Sequence, residues 1–117
     1  MKKIILLLYL FCCFIISCTS EKGELPVKQE TCDSVISYSM DIVPIILAKC
    51  SGHACHDATS GNGDYAMYAD IKLKADDGQL KNRVIVLKNM PPSGSPLLSD
   101  AEISQIRCWI QQGAPNN

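Results

Sequence analysis

In Cys50-Ser-Gly-His-Ala-Cys-His56, two thiols and two imidazoles fall within seven residues, and any fold containing this segment is arranged around whatever it holds. Three chemistries use such residues. Zinc accepts Cys50, His53, Cys55 and His56 as ligands, but tetrahedral sites usually draw ligand pairs from two separated segments. Here all four would come from one loop, the adjacent Cys55 and His56 cannot easily aim at one ion, and the rest of the sequence has no second Cys and His cluster. A thiol–disulfide motif wants Cys-x-x-Cys beside a strand–helix unit. The spacer here has four residues, and no strand pattern accompanies it.

The third chemistry is covalent haem attachment, in which two thiols bond the porphyrin and the histidine directly after the second cysteine binds iron. Cys50 and Cys55 supply the thiols and His56 the proximal ligand. The spacer, Ser51-Gly52-His53-Ala54, is longer than the usual two residues, and Gly52 gives it freedom to bulge. His53 is too near His56 in sequence to reach the opposite haem face and reads as solvated spacer. Met90 is the candidate for the sixth iron position. It lies in Asn89-Met90-Pro91-Pro92, where the two prolines present a thioether at little ordering cost, and Pro91 joins it as a pocket residue. Met40 and Met67 fit helices and are expected in the core.

The chain begins with Lys2 and Lys3 and an apolar run from Ile4 to Ile16, the layout of an export signal. The run is shorter than the ~20 residues of a spanning helix. Ile15-Ile16-Ser17-Cys18 resembles the lipobox of bacterial lipoproteins, which implies a leader at 1–17 and lipidation of Cys18 as the new N-terminus. The other reading is an ordinary signal with incidental cysteines. Thr19 to Glu30 is polar and broken by Gly23 and Pro26, so it cannot bury a core. The expected organisation is a leader at 1–17, a lipid-anchored linker at 18–31 and one domain at 32–117, a length that supports a single modest core. Losing Lys2 and Lys3 leaves nine basic and twelve acidic residues, a net charge of −3. No basic patch argues for nucleic acid, and the negative charge suggests a partner with a basic docking face.

The domain reads as all-α. Ser39 to Lys49 is apolar, with Pro44 early, and is expected to form a helix ending just before Cys50. Asp64 is placed to cap a second helix through Tyr65, Met67, Tyr68, Ile71 and Leu73. A third, shorter element is expected over Gln79 to Leu87, and Lys88 to Leu97, with three prolines, is loop. Ser99 and Glu102 form a capping-box pattern, followed by Ile103, Ile106 and Ile110 at helical spacing. Gly113 closes that helix, with Pro115 beyond. At 100° per residue Cys108 lies about 140° from Ile103 and is expected off the core face.

Residues 38 to 117, from SMDIVPIILAKC through the Met90-Pro91-Pro92 loop to LSDAEISQIRCWIQQGAPNN, resemble the class I cytochrome c domain. More narrowly, they resemble the short form found in exported proteins and lipoproteins of Gram-negative bacteria. The resemblance implies three to four helices around a covalently bound haem c, with the first and last helices crossing. Cys50 and Cys55 would be its thioether anchors, and His56 and Met90 the axial iron ligands. Ile103, Ile106, Ile110 and Trp109 would supply apolar wall and helix contact, with Trp109 in the haem pocket. The ends of that fold meet, so Cys32 and Cys108 are expected to form a disulfide in an oxidising compartment; two separate small buried residues are the alternative.

The implied protein is an electron carrier rather than an enzyme. It would be held by its N-terminal lipid in the outer membrane, periplasm-facing or at the cell surface, and would exchange electrons with donor and acceptor proteins. Two rivals stand beside this. One is a haem sensor or peroxidase-like protein with a labile Met90, for which Arg83 and Arg107 are the only arginines and neither is convincingly placed. The other is a haem-free lipoprotein stabilised by a disulfide or zinc.

Overall fold

Ser37 starts the helical part of the chain because its side chain and backbone are both used as a cap. Its Oγ accepts from the Met40 N–H at 3.3 Å, and its own N–H donates to Asp41 Oδ2 at 2.8 Å. The coordinates are a computed structural model describing residues 31–51 and 55–117. The expected leader, Cys18, the linker before Thr31, and His53 lie outside the described residues.

From Ser37 a π-helical stretch, Tyr38–Ile42, runs directly into α1, Val43–Lys49. The Val43 N–H reaches back five residues to the Tyr38 carbonyl. Pro44, in the first turn of α1, has no N–H to give to Met40, and its ring would crowd that carbonyl in a regular α-turn. The wider π register relieves that crowding. The expected helix therefore ends where the sequence places its end, but it opens with a different pitch.

Tyr38, Ile42, Ile45 and Ile46 form the buried stripe of this segment, at i, i+4, i+7 and i+8. Met40 falls on the other face and is 77% exposed, which corrects its expected place in the core.

The second helix is also shifted. α2 is Tyr68–Asp76, and Met67 stands at its N-cap without a side-chain bond. Asp64 instead closes the turn ahead of it, accepting from the Ala66 N–H through Oδ1 at 3.1 Å and from the Met67 N–H through its carbonyl at 2.9 Å. Tyr65 and Met67 thus precede the helix rather than belong to it, and Met67 and Leu73 are exposed. Ile71 and Ala75 carry the inward face.

After Gly78, Gln79 and Leu80 lead into a second π-helical segment, Lys81–Val86, which buries Leu80 and Val84. The expected third element is present in this form.

α3, Asp100–Gln111, has the full capping box. Glu102 Oε2 accepts from the Ser99 N–H at 2.7 Å, and Ser99 Oγ accepts from the Glu102 N–H at 3.3 Å. These bonds hold the Glu102 carboxyl below its ordinary 4.5. A depressed folded-state value means the carboxylate stabilises the fold above its unfolded pKa, and this is lost as pH falls through the lower folded value. Ser99→Ala should destabilise the domain by about 1 kcal/mol, read as a lower urea midpoint with an unchanged slope.

The inward face of α3 is Ile106, Cys108 and Trp109, with Ile103 and Ile110 half-buried. This corrects the expectation that Cys108 points away from the core. The segment before the first helix covers that side of α3 and turns it into a second buried face. Ile36 N–H donates to Gln112 Oε1 at 2.9 Å, Gln112 Nε2 donates to the Ser34 carbonyl at 2.8 Å, and Tyr38 N–H donates to Asn117 Oδ1 at 2.8 Å.

Cys32 and Cys108 are joined in a disulfide there, with Cα atoms 5.4 Å apart across a sequence separation of 76. The chain-entropy model gives such a loop roughly 4 kcal/mol as an upper figure. Replacing both cysteines with serine should lower stability by about 2–4 kcal/mol, and the same loss should follow reduction of the native chain in a chemical denaturation series.

Trp109 is the centre of this junction, with 0% exposure. Its ring stacks with Tyr38 at 5.6 Å, and Tyr38 meets Tyr68 edge-on at 4.9 Å. The polar ends of the aromatics are satisfied by the C-terminal tail: Trp109 Nε1 donates to the Pro115 carbonyl at 2.9 Å and Tyr68 OH to the Ala114 carbonyl at 2.8 Å. Gly113, at φ +88°, takes the left-handed turn that brings the tail back.

The described fold is therefore all-α, with its first and last helical segments packed together. Among the described residues no helix is long and apolar enough to cross a membrane.

Candidate functional site

Cys50 lies where α1 ends. The Cys50 N–H and the Ser51 N–H both donate to the Ile46 carbonyl, at 2.8 and 2.9 Å, so the chain leaves the helix in a fixed direction. It returns at His56, whose N–H donates to the Cys50 carbonyl at 3.2 Å. The residue after Cys55 thereby comes back to Cys50. Burial first, then the neighbouring Cys55 and Glu102, pushes the Cys50 thiol up to about 11. At neutral pH it is a thiol, a poor metal ligand and a poor partner for thiol–disulfide exchange.

His56 is held from several sides. Its Nδ1 lies 3.2 Å from the Asn62 carbonyl oxygen. A carbonyl only accepts, so Nδ1 carries a proton, and in the neutral form of the ring the lone pair is on Nε2. The Tyr65 ring lies flat against the imidazole, with centroids 3.9 Å apart and planes 7° apart. The loop carrying Asn62 is shaped by Asp57, whose Oδ1 accepts from the Thr59 N–H at 2.9 Å and from Thr59 Oγ1 at 2.8 Å. It closes where the Tyr65 N–H donates to the His56 carbonyl at 3.1 Å.

These residues open onto a cavity of about 1040 Å³, lined by Cys50, Cys55, His56 and Tyr65 on one part and by Met90, Pro91 and Pro92 on another. Leu80, Val84 and Leu98 add apolar wall. Its size is at the upper end of ordinary cofactor pockets, roughly 300–1,000 Å³. Met90 is half-buried against the core, and its bond to Pro91 is cis. Cys50 and Cys55 are not joined to each other.

Five residues named from sequence, Cys50, Cys55, His56, Met90 and Pro91, thus share one lining although 35 positions of numbering separate Cys55 from Met90. Trp109 is placed elsewhere: it is sealed in the junction with Tyr38, and neither it nor Ile103, Ile106 or Ile110 is part of the lining. The apolar wall comes from the second π-helical segment and the proline loop instead.

The residues fit a haem on three counts: a large apolar cavity, two thiols at its edge, and an imidazole with a single available nitrogen. Lys49, Lys74 and Arg83 line the cavity against one carboxylate, Asp70, so its local charge is opposite in sign to the net charge of −1 of the whole chain. Among the described residues no three His, Cys, Asp or Glu side chains gather into a metal-holding group, and no strand is present. His53, which the zinc arrangement would need, is outside them.

Sequence reasoning missed Tyr65 and Asn62. Tyr65 was assigned to a helix face, and Asn62 acts through its backbone, which leaves no side-chain signature. Comparison with protein-family models, curated proteins and solved structures gives no match.

Proposed function

We propose that the mature chain is a lipid-anchored monohaem electron carrier, with Cys50 and Cys55 as thioether anchors and His56 and Met90 as axial ligands. The observation that carries the reading is the single cavity lined by these four residues, with His56 oriented so that only Nε2 is available. Bound haem supplies a one-electron ferric/ferrous couple.

The chain's own residues account for the rest. Cys50 and Cys55 would hold the porphyrin as thioethers, each S–H adding across a vinyl group with sulfur to one carbon and hydrogen to the other, so attachment would need no oxidant. The Asn62 carbonyl fixes the tautomer of His56 and raises its basicity. The Met90 thioether, a soft and weakly basic donor, would favour ferrous iron and raise the potential. Leu80, Val84 and the proline loop restrict water.

The N-terminal leader and Cys18 support export and attachment to the membrane of a Gram-negative bacterium through lipid, with redox proteins as donor and acceptor. Expressed with a cytochrome maturation system, Cys50→Ala and Cys55→Ala should each remove one thioether. The reduced absorption band should shift to the red in each single variant, and the double variant should lose haem on denaturation. Retention of covalent haem by the double variant would contradict the assignment.

A further inference from the structure

We propose that Tyr65 is a positioning residue for His56, setting the plane of the imidazole and through it the orientation and donor strength of Nε2. This rests on reading His56 as the iron ligand. One hydrogen bond, Nδ1–H to the Asn62 carbonyl at 3.2 Å, fixes a direction but leaves the ring able to turn about that line. The flat contact with Tyr65, 3.9 Å between centroids and 7° between planes, removes that rotation. Together the two contacts define both the tautomer and the plane.

Tyr65 is itself held firmly enough to do this. Its N–H donates to the His56 carbonyl at 3.1 Å, which ties the two residues through backbone as well as ring. The preceding residue, Asp64, donates its N–H to Asp70 Oδ2 at 2.8 Å, so the first turn of α2 anchors the loop. Gly63 lies beside the ring: a Cβ there would be 3.4 Å from Tyr65 Cε1 and would be strained by a φ of +88°. The tyrosine ring is therefore close to the glycine as well as stacked on the imidazole, and the loop tied to α2 at Asp70 sets the angle of a ligand that is not on α2. Partners behind a metal-bound histidine fix its orientation and tune its basicity; here the partner is a ring face rather than a hydrogen bond.

The test uses the matured full chain as wild type, Tyr65→Phe and Tyr65→Leu, with covalent haem content measured first on denatured protein. Tyr65→Phe keeps the ring and should reproduce the wild-type ferric electron paramagnetic resonance spectrum and midpoint potential. Tyr65→Leu, at equal haem content, should shift the low-spin g values. It should also raise the potential, because an imidazole turned about that line no longer aims Nε2 in the set direction and becomes a weaker donor to ferric iron. In the diamagnetic ferrous wild type, nuclear Overhauser contacts should join the Tyr65 and His56 ring protons, a readout that does not depend on the leucine variant folding. Absence of those contacts overturns the proposal, as does a leucine variant with native g values and potential, or a phenylalanine variant as perturbed as leucine. A wild type without covalent haem overturns the haem reading, and this inference with it.

Discussion

His56→Ala is expected to yield almost no mature protein, whereas Met90→Ala is expected to keep its covalent haem and lose only the sixth ligand. The difference follows from where each residue sits. His56 is tied into the attachment loop at its N–H, its carbonyl, its ring nitrogen and its ring face, so its side chain helps organise the segment on which Cys50 and Cys55 are presented. Met90 approaches the cavity from a separate proline loop and contributes a thioether without shaping the thiols.

In Met90→Ala the weak far-red charge-transfer band of methionine-ligated ferric iron should disappear. The midpoint potential should fall by something on the order of 0.1–0.2 V, a fraction of the ~0.8 V that axial ligands span. The open position should then take up imidazole or cyanide faster than wild type does. Wild type that binds such ligands as fast as Met90→Ala would favour the sensor-like alternative with a labile methionine. A charge-transfer band that survives the substitution would show that another residue is the sixth ligand.

Trp109→Ala is the second large effect and concerns the fold rather than the iron. Large-to-small replacement of a fully buried tryptophan costs about 3–5 kcal/mol, against a total stability of about 5–15 kcal/mol for a typical domain. Several contacts fail together here. The stack with Tyr38 is lost, the Pro115 carbonyl loses its donor, and the tail that satisfies Tyr68 and the backbone of Tyr38 and Ser39 loses its backing. The variant should unfold at a much lower denaturant concentration and lose tyrosine near-ultraviolet dichroism with it. Because Trp109 is outside the cavity lining, whatever fraction remains folded should keep a native haem spectrum. A spectrum altered in the folded fraction would mean the tryptophan does touch the cofactor pocket.

The contrast between these residues also shows what was legible in the sequence. Features written in adjacent residues were readable: the Ser99 and Glu102 capping box, the Gly113 stop, the end of α1 at Cys50, and the proline loop that carries Met90. Each depends on chemistry within a few positions. The π-helical pitch of Tyr38–Ile42 is a matter of backbone register, and Pro44 was its sole sign in the sequence. Asp64 has the composition of a helix cap, yet the bond its N–H makes to Asp70 belongs to the loop, and the helix begins at Tyr68.

Side-chain placement was less readable still. Met40 and Met67 satisfy a helical hydrophobic pattern, but the stripe that finds a partner is Tyr38, Ile42, Ile45 and Ile46. Cys108 looked misplaced relative to the isoleucines because periodicity within α3 knows nothing of the segment from Cys32 to Ile36 that packs over its other face. The resemblance gives Trp109 to both apolar wall and helix contact, and in the structure it stacks on Tyr38 and bonds the Pro115 carbonyl where the two ends of the chain meet.

The central claim is that Cys50 and Cys55 bond a haem whose iron is held by His56, and intact mass of the matured, wild-type chain tests it most directly. The account predicts a mass equal to the processed polypeptide plus one haem, unchanged by acid-acetone extraction, with neither Cys50 nor Cys55 open to alkylation. A mass equal to the polypeptide alone after expression with the maturation machinery, with both cysteines alkylated, would contradict it.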